Sequence, residues 1–263
     1  QERVAEAMDI AVQVFVEDNL PLLREFAIMA QDPPGDLNPP VTAETMPRYI
    51  NAMLAGDVMV EQLLNDSVPM DAAFLERIAK VKKLTPHFHL SMQSGSSRTL
   101  AAMRRKYNAE TALRNIENTR AALPGVQFTT DFIVGFPDET DEDFAETMEF
   151  ARRVGFLATH VFKYSKRAGT PAAKMPNQIP EEVKHARSQA LIALSAESTA
   201  RCLAEILEKS PTETVLFEQK VGGLWSGHTA AFAEVRVASD ADLRGDARRV
   251  RCRSVCDGYI RAD

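Results

Sequence analysis

The chain has 263 residues, 45% of them hydrophobic and 26% charged, with a net charge of −6. That is an ordinary globular composition with room for one large domain or two to three small ones. No apolar run reaches the roughly 18–20 residues that span a bilayer, and no basic stretch leading into an apolar one marks a secretory signal, so no membrane partner is expected.

The charge is unevenly spread. Residues 1–66 hold 3 Lys/Arg against 12 Asp/Glu, a net of −9, and residues 67–263 hold 28 against 25, a net of +3. The acidic total therefore leaves a nucleic-acid partner open for the later part. There are three cysteines, Cys202, Cys252 and Cys256. An odd, small number predicts free thiols in a reducing, cytoplasmic setting, and their spacing gives no metal site. The first residue is Gln1 rather than Met, so a processed or incomplete chain is expected.

Residues 1–66 read as a helical segment of no assigned role, broken at Pro21 and by the Pro- and Gly-rich linker Gln31–Pro40. Met70–Lys83 is predicted as a helix, with Phe74, Leu75, Ile78 and Val81 on one face and Pro86 forbidding continuation. Phe88–Met92 reads as a strand and Ser97–Lys106 as a helix carrying the basic cluster Arg98, Arg104, Arg105 and Lys106. Ala109–Leu123 is another helix, stopped by Pro124-Gly125.

Val126–Val134 is predicted as a strand, turned by Gly135-Phe136-Pro137. Thr140 is a good N-cap with Asp143 three residues on, and the acidic run Asp141–Asp143 suits the first turn of a helix. Ala158–Tyr164 is a third strand, leading into the basic loop Ser165–Pro171, and Glu181–Lys209 is a long helix with Pro180 near its start. Strand–turn–helix units in series predict a parallel α/β sheet or barrel, with ligands at the carboxyl ends of the strands. The turns Ser91–Ser96 and Gly135–Thr140 mark that rim.

From Pro211 the pattern changes. Thr214–Phe217, Ala231–Val237 and Arg249–Ser254 read as short strands between glycine-bearing turns at Gly222-Gly223, Gly227, Asp240–Gly245 and Gly258. That predicts a small β-barrel. Trp225, His228, Arg236, Arg249 and Arg251 are its candidate RNA-binding residues, since aromatics and arginines suit looped or single-stranded RNA. Its charge is balanced, eight basic against eight acidic residues, and a barrel that docks on its own core is the competing expectation.

Four blocks, HFHLSMQSGS, TTDFIVGFPDETDEDF, HVFKYSKRAGTPAAKM and LFEQKVGGLWSGHTAAFAEVRV, resemble the tRNA methylthiotransferases of the radical SAM superfamily, over about Asp66–Ile260. The resemblance is nearest to the branch that acts on threonylcarbamoyladenosine. It implies an α/β fold: residues 67–210 as the last three strands of a radical SAM (β/α) barrel, and residues 211–263 as a TRAM-like β-barrel that binds tRNA. It implies S-adenosylmethionine and [4Fe-4S] clusters as cofactors, and methylthiolation of an adenosine beside the anticodon of the tRNA anticodon stem-loop.

By the same resemblance, Gln93 and Ser94 bind the ribose or methionine part of the cofactor. Ile133 and Gly135 flank its adenine, Phe162 and Tyr164 flank the same ring, and Asp131 orients a polar partner. Arg167 contacts cofactor or RNA phosphate. The family holds its catalytic cluster through Cys-x-x-x-Cys-x-x-Cys, and no cysteine precedes Cys202 here. The cluster ligands are therefore absent from this chain, and inactivity of the chain alone is expected. A missing N-terminal portion or another chain would complete the barrel. The alternative is a non-catalytic tRNA-binding module that uses the terminal barrel.

Overall fold

The computed structural model describes residues 72–81 and 84–263. The helical segment and the linker expected before residue 67 lie outside the described residues. By compactness the chain divides into Gln1–Leu84 with Glu117–Leu123, and Thr85–Ile116 with Pro124–Asp263.

In the first unit, helix α1 (Ala72–Ile78) buries Phe74, Leu75 and Ile78. It is shorter than the pattern predicts. Ala79 still bonds back to Leu75, but the amides of Lys80 and Val81 turn to Arg77 and Ile78, so the winding tightens and stops.

The second unit opens with three strands: β1 (His87–Gln93), β2 (Gln127–Val134) and β3 (Ala158–Lys163), in the order β1-β2-β3 and parallel throughout. Helices α2 (Ser97–Ala102) and α3 (Ala109–Ala122) join β1 to β2, and α4 (Asp141–Val154) joins β2 to β3. One sheet face is apolar: Phe128, Phe132 and Val134 are buried, and Phe132 meets Phe150 and Phe156 edge-on. The other face is polar. His89 stands beside Thr129, and Asp131 beside His160. Alternation along each strand separates the two faces.

A short helix α5 (Pro171–Lys174) and the 29-residue α6 (Glu181–Lys209) follow. Helix α6 packs on β3 and α4, and its distal half reaches strand β7 (Ala247–Val255). With β4 (Thr212–Val221), β5 (Leu224–Thr229), β6 (Glu234–Val237) and β8 (Ile260–Ala262), β7 closes a barrel in the order β4-β5-β6-β8-β7. Val215, Phe217, Val235 and Ile260 fill it, and Leu157, Cys202 and Leu203 join the same core from outside. The barrel is thus seated on α6.

The structure differs from the sequence reading at further points. Helix α2 ends at Ala102 rather than continuing to Lys106, because Arg104 adopts φ 61°, a left-handed conformation that closes the helix. The barrel has five strands where three were expected. Gly227, read as a turn, lies inside β5, where any Cβ would collide with the backbone of Leu216 on β4. Among the described residues no helix is long and apolar enough to cross a membrane.

Candidate functional site

A cleft of about 740 Å³ opens at the carboxyl ends of the three parallel strands. Gln93 reaches it from the end of β1, Ile133 and Phe136 from β2 and its turn, and Phe162, Tyr164 and Arg167 from β3 and the loop beyond. Met103, Arg104 and Arg105 add a wall from the α2–α3 connection. Gln93 sits at φ 63°, beside a register irregularity between Leu90 and Gln93. A non-glycine residue held in that conformation is a feature of ligand sites. Phe162 leaves 52% of its surface exposed, a large apolar side chain left open among the described residues. The Tyr164 hydroxyl is buried without a hydrogen-bond partner among the described residues, while its ring meets Phe136 edge-on at 5.4 Å.

Four expected cofactor residues therefore share the cleft: Gln93, Ile133, Phe162 and Tyr164. Three do not line it. Ser94 is fully buried, with its Oγ 3.1 Å from Thr147 Oγ1 and accepting from the Ser96 amide, so it builds the turn instead of offering a hydroxyl to a ligand. Asp131 lies on the polar sheet face and pairs with His89 Nε2 at 3.3 Å. Gly135 has φ 73°, its amide donates to Glu139 Oε2 at 2.7 Å, and a Cβ there would collide with the Lys184 side chain. The close approach that glycine permits is to α6.

The frame beneath the rim is polar and buried. Arg187, on α6, donates through Nη1 to Glu139 Oε2 at 2.6 Å and through Nη2 to Asp141 Oδ1 at 2.7 Å. Burial pushes the Glu139 carboxyl above its ordinary value, with the Gly135 amide and Arg187 pulling the other way. Asp143 accepts from Ser96 Oγ at 2.8 Å, from the Thr140 amide at 2.8 Å and from Arg98 Nε, and closes the expected capping box with Thr140. Burial acts to raise its carboxyl, but Arg98, Thr140 and Ser96 together hold it well below the usual carboxylate range.

On the barrel, the candidate RNA residues divide. Trp225 is 4% exposed and belongs to the barrel core, so its faces cannot stack on a base. It points inward because β5 alternates, and the hydrophobic ring takes the inward position. His228 is held by Glu218 at 2.9 Å and stacks on Phe232. Arg236 donates to Glu234 at 2.7 Å and lies over the Tyr259 ring. Arg249 and Arg251 project from the outer face of β7, exposed and without a side-chain hydrogen bond or ion pair among the described residues. Arg248 and Arg253 of the same strand pair with Asp246 and Asp263.

Sequence reasoning missed Phe136, Met103 and Met175 as cleft residues. Phe136 was within reach, since it sits in the quoted Gly-Phe-Pro turn. The methionines carry no local signal. The cysteines are dispersed: Cys202 and Cys252 are buried in the barrel core, Cys256 is half-buried, and no His/Cys/Asp/Glu group among the described residues suits a metal ion.

The family model described as the Radical SAM superfamily matches residues 16–151. Among curated relatives, the tRNA-2-methylthio-N(6)-dimethylallyladenosine synthase of Maricaulis maris is 38% identical over 76% of this chain and 44% of its own length. The enzyme of the same name from Lachnoclostridium phytofermentans is 43% identical over 70% of this chain and 41% of its own. The chain thus spans less than half the length of these relatives. Of solved structures, the Escherichia coli coproporphyrinogen III oxidase (HemN), titled a Radical SAM enzyme, aligns at 14% identity and a TM-score of 0.41, over 61% of this chain and 44% of that one. Since the superfamily model covers more than half of the 263 residues, the chain belongs to the Radical SAM superfamily.

Proposed function

We propose that this chain is part of a tRNA methylthiotransferase, acting on an N6-modified adenosine next to the anticodon, with residues 67–210 as the portion that binds S-adenosylmethionine and residues 211–263 as a TRAM-like RNA-binding barrel. The observation that carries it is the cleft at the strand ends, with Ile133 and the exposed ring of Phe162 as apolar surfaces and Gln93 and the unpartnered Tyr164 hydroxyl as polar contacts. That combination suits a nucleoside: π-stacking for the base and uncharged hydrogen-bonding groups for the ribose hydroxyls. The names of the relatives support the sulfur-transfer reading. The four sequence blocks favour a threonylcarbamoyl substituent on the adenosine, whereas the relatives are named for a dimethylallyl one.

Radical SAM enzymes work with S-adenosylmethionine and an iron–sulfur cluster, which delivers the electron that cleaves the cofactor. The chain's residues fit the first and not the second. Cys202 and Cys252 are core side chains, and with Cys256 they form no exposed thiolate set. What the chain itself supplies is binding: it holds the nucleoside, orients it through Gln93 and Tyr164, and keeps water from its base with Phe162 and Ile133. The cluster, under this reading, is held by residues outside these 263.

Calorimetric titration of the chain with S-adenosylmethionine tests the reading. Binding is expected, and Phe162→Ala should weaken it about tenfold, the loss of a stacking and burial term of roughly 1.5 kcal/mol. No detectable binding, or a Phe162→Ala variant equal to wild type, counts against it.

A second reading has its own support in the missing thiolate set and the exposed Arg249 and Arg251: an RNA-binding module without chemistry. Anaerobic iron–sulfide reconstitution of the chain should then leave it colourless, while labelled anticodon stem-loop RNA still binds.

A further inference from the structure

We propose that the mouth of the cleft is a phosphodiester-binding clamp, in which Arg104 on one wall and Arg167 on the other grip the backbone of a single-stranded RNA segment on either side of the nucleotide presented to the cleft. This deepens the proposed function and rests on the cleft being a nucleoside site.

The first ground is charge. Arg104, Arg105, Lys163 and Arg167 line the cleft, and among the described residues no Asp or Glu does. Nearby cations are already committed: Arg98 is taken by Asp143 and Asp138, and Lys163 by Glu181. The side chains of Arg104 and Arg167 have no hydrogen bond or ion pair among the described residues. Uncompensated guanidiniums around an apolar floor fit a ligand that is anionic at its ends and flat in its middle, and guanidinium geometry matches phosphate oxygens.

The second ground is position. Arg104 follows β1 and α2, Arg167 follows β3, and β2 lies between those strands. The outer strands of a three-stranded sheet are about 10 Å apart. The two cations therefore flank the floor made by Ile133 and Phe136.

The third ground is rigidity. Arg104 sits at φ 61°, a strained conformation for a long side chain, and the turn around it is pinned. Its amide and that of Arg105 bond back to Ala101 and Leu100 at 2.9 Å, and the Tyr107 hydroxyl donates to the Ser91 and Met92 carbonyls at the end of β1. On the other side, Thr170 fixes the loop by donating from its Oγ to the Arg167 carbonyl at 2.8 Å. Both guanidiniums thus stand on anchored backbone, which lowers the entropy lost on binding.

The test is a salt series of anisotropy titrations with labelled anticodon stem-loop RNA, on the full chain and on two double variants, with S-adenosylmethionine affinity measured in parallel. Arg104→Gln with Arg167→Gln should lower the slope of log affinity against log salt by about 1.4, at about 0.7 per single-strand phosphate. An unchanged slope in that variant, with a lowered one in Arg249→Gln with Arg251→Gln, overturns the clamp and leaves RNA binding by the barrel standing. An unchanged slope with weaker S-adenosylmethionine binding assigns the two cations to the cofactor's carboxylate and overturns the clamp as well. Wild-type protein that binds no RNA removes the proposed function and the clamp together.

Discussion

Phe232 lies flat on the imidazole of His87, with ring centroids 4.4 Å apart and 11° between the planes. His228 covers its other face at 4.6 Å and 15°. The three rings join the barrel to the first residue of β1, and Phe232 reaches across from a left-handed backbone position at φ 67°. Around the stack, His89 neighbours His87 on the sheet and is itself paired with Asp131, Thr129 Oγ1 lies 3.0 Å from His87 Nε2, and Glu218 holds His228.

That stack makes stability depend on pH. Burial, followed by the neighbouring His89 and His228, pushes His87 from 6.5 down to about 4. Between those values the unfolded chain binds a proton that the folded chain refuses, so the contribution is complete above 6.5 and is lost as pH falls towards 4. His87→Phe keeps an aromatic ring in the stack and removes the titration. Urea midpoints measured from neutral pH to pH 4 should fall more steeply for wild type than for His87→Phe. Parallel curves for the two proteins would refute the assignment.

Gly95→Ala should destabilise the chain by about 1–3 kcal/mol, the usual cost of overpacking. A Cβ at this position would lie 2.6 Å from Phe150 Cβ and 2.8 Å from the Cα of Thr147, which is backbone and cannot swing aside. The Gly95 amide also donates to Thr147 Oγ1 at 3.1 Å. Pushing the turn off α4 moves Gln93, two residues earlier, at the cleft. Thermal unfolding reads the first effect and S-adenosylmethionine titration the second; a variant with wild-type midpoint and affinity shows that the turn has slack.

The parallel three-stranded sheet was legible because each strand is a short β-branched or aromatic run that ends in a turn and feeds a helix. The Thr140–Asp143 capping box was legible for the same reason: its partners lie three residues apart. What the sequence hid depends on distant neighbours. Ser94 and Gly135 look like ligand-facing turn residues until Thr147 and Lys184 are brought against them from 53 and 49 positions away. Trp225 reads as a surface aromatic, yet strand alternation and barrel closure turn it inward. Gly227 reads as a turn, since nothing local reveals that the backbone of Leu216 lies against it.

Glu139→Ala should cost about 3 kcal/mol, because it leaves a buried guanidinium short of its partner. Arg187 is 7% exposed and Glu139 1%, and the same carboxylate oxygen also accepts from the Gly135 amide. The loss therefore reaches the turn after β2 as well as α6. Glu139→Gln keeps an acceptor for both donors and should cost less than the alanine variant. Chemical denaturation of the two variants gives the order; equal midpoints would mean that Asp141, at 2.7 Å from Arg187 Nη2, carries the guanidinium alone.

Asp143→Asn removes the charge that joins the first turn of α4 to the loop after β1. Asp143 meets Ser96, Arg98 and Thr140, and it is buried whereas Arg98 is half exposed. Solvent around Arg98 screens the pair, so the expected loss is that of a helix cap, about 1–2 kcal/mol. Because the folded carboxyl titrates below its unfolded value of 3.8, its contribution is present above that pH and disappears as pH falls through the lower folded value. The difference between wild type and Asp143→Asn should thus be full at neutral pH and shrink in strong acid, where the wild-type side chain is also neutral. Guanidinium denaturation series at neutral pH and below pH 3.8 measure both gaps. A gap that stays constant across that range would assign the loss to Asn packing and not to the missing charge.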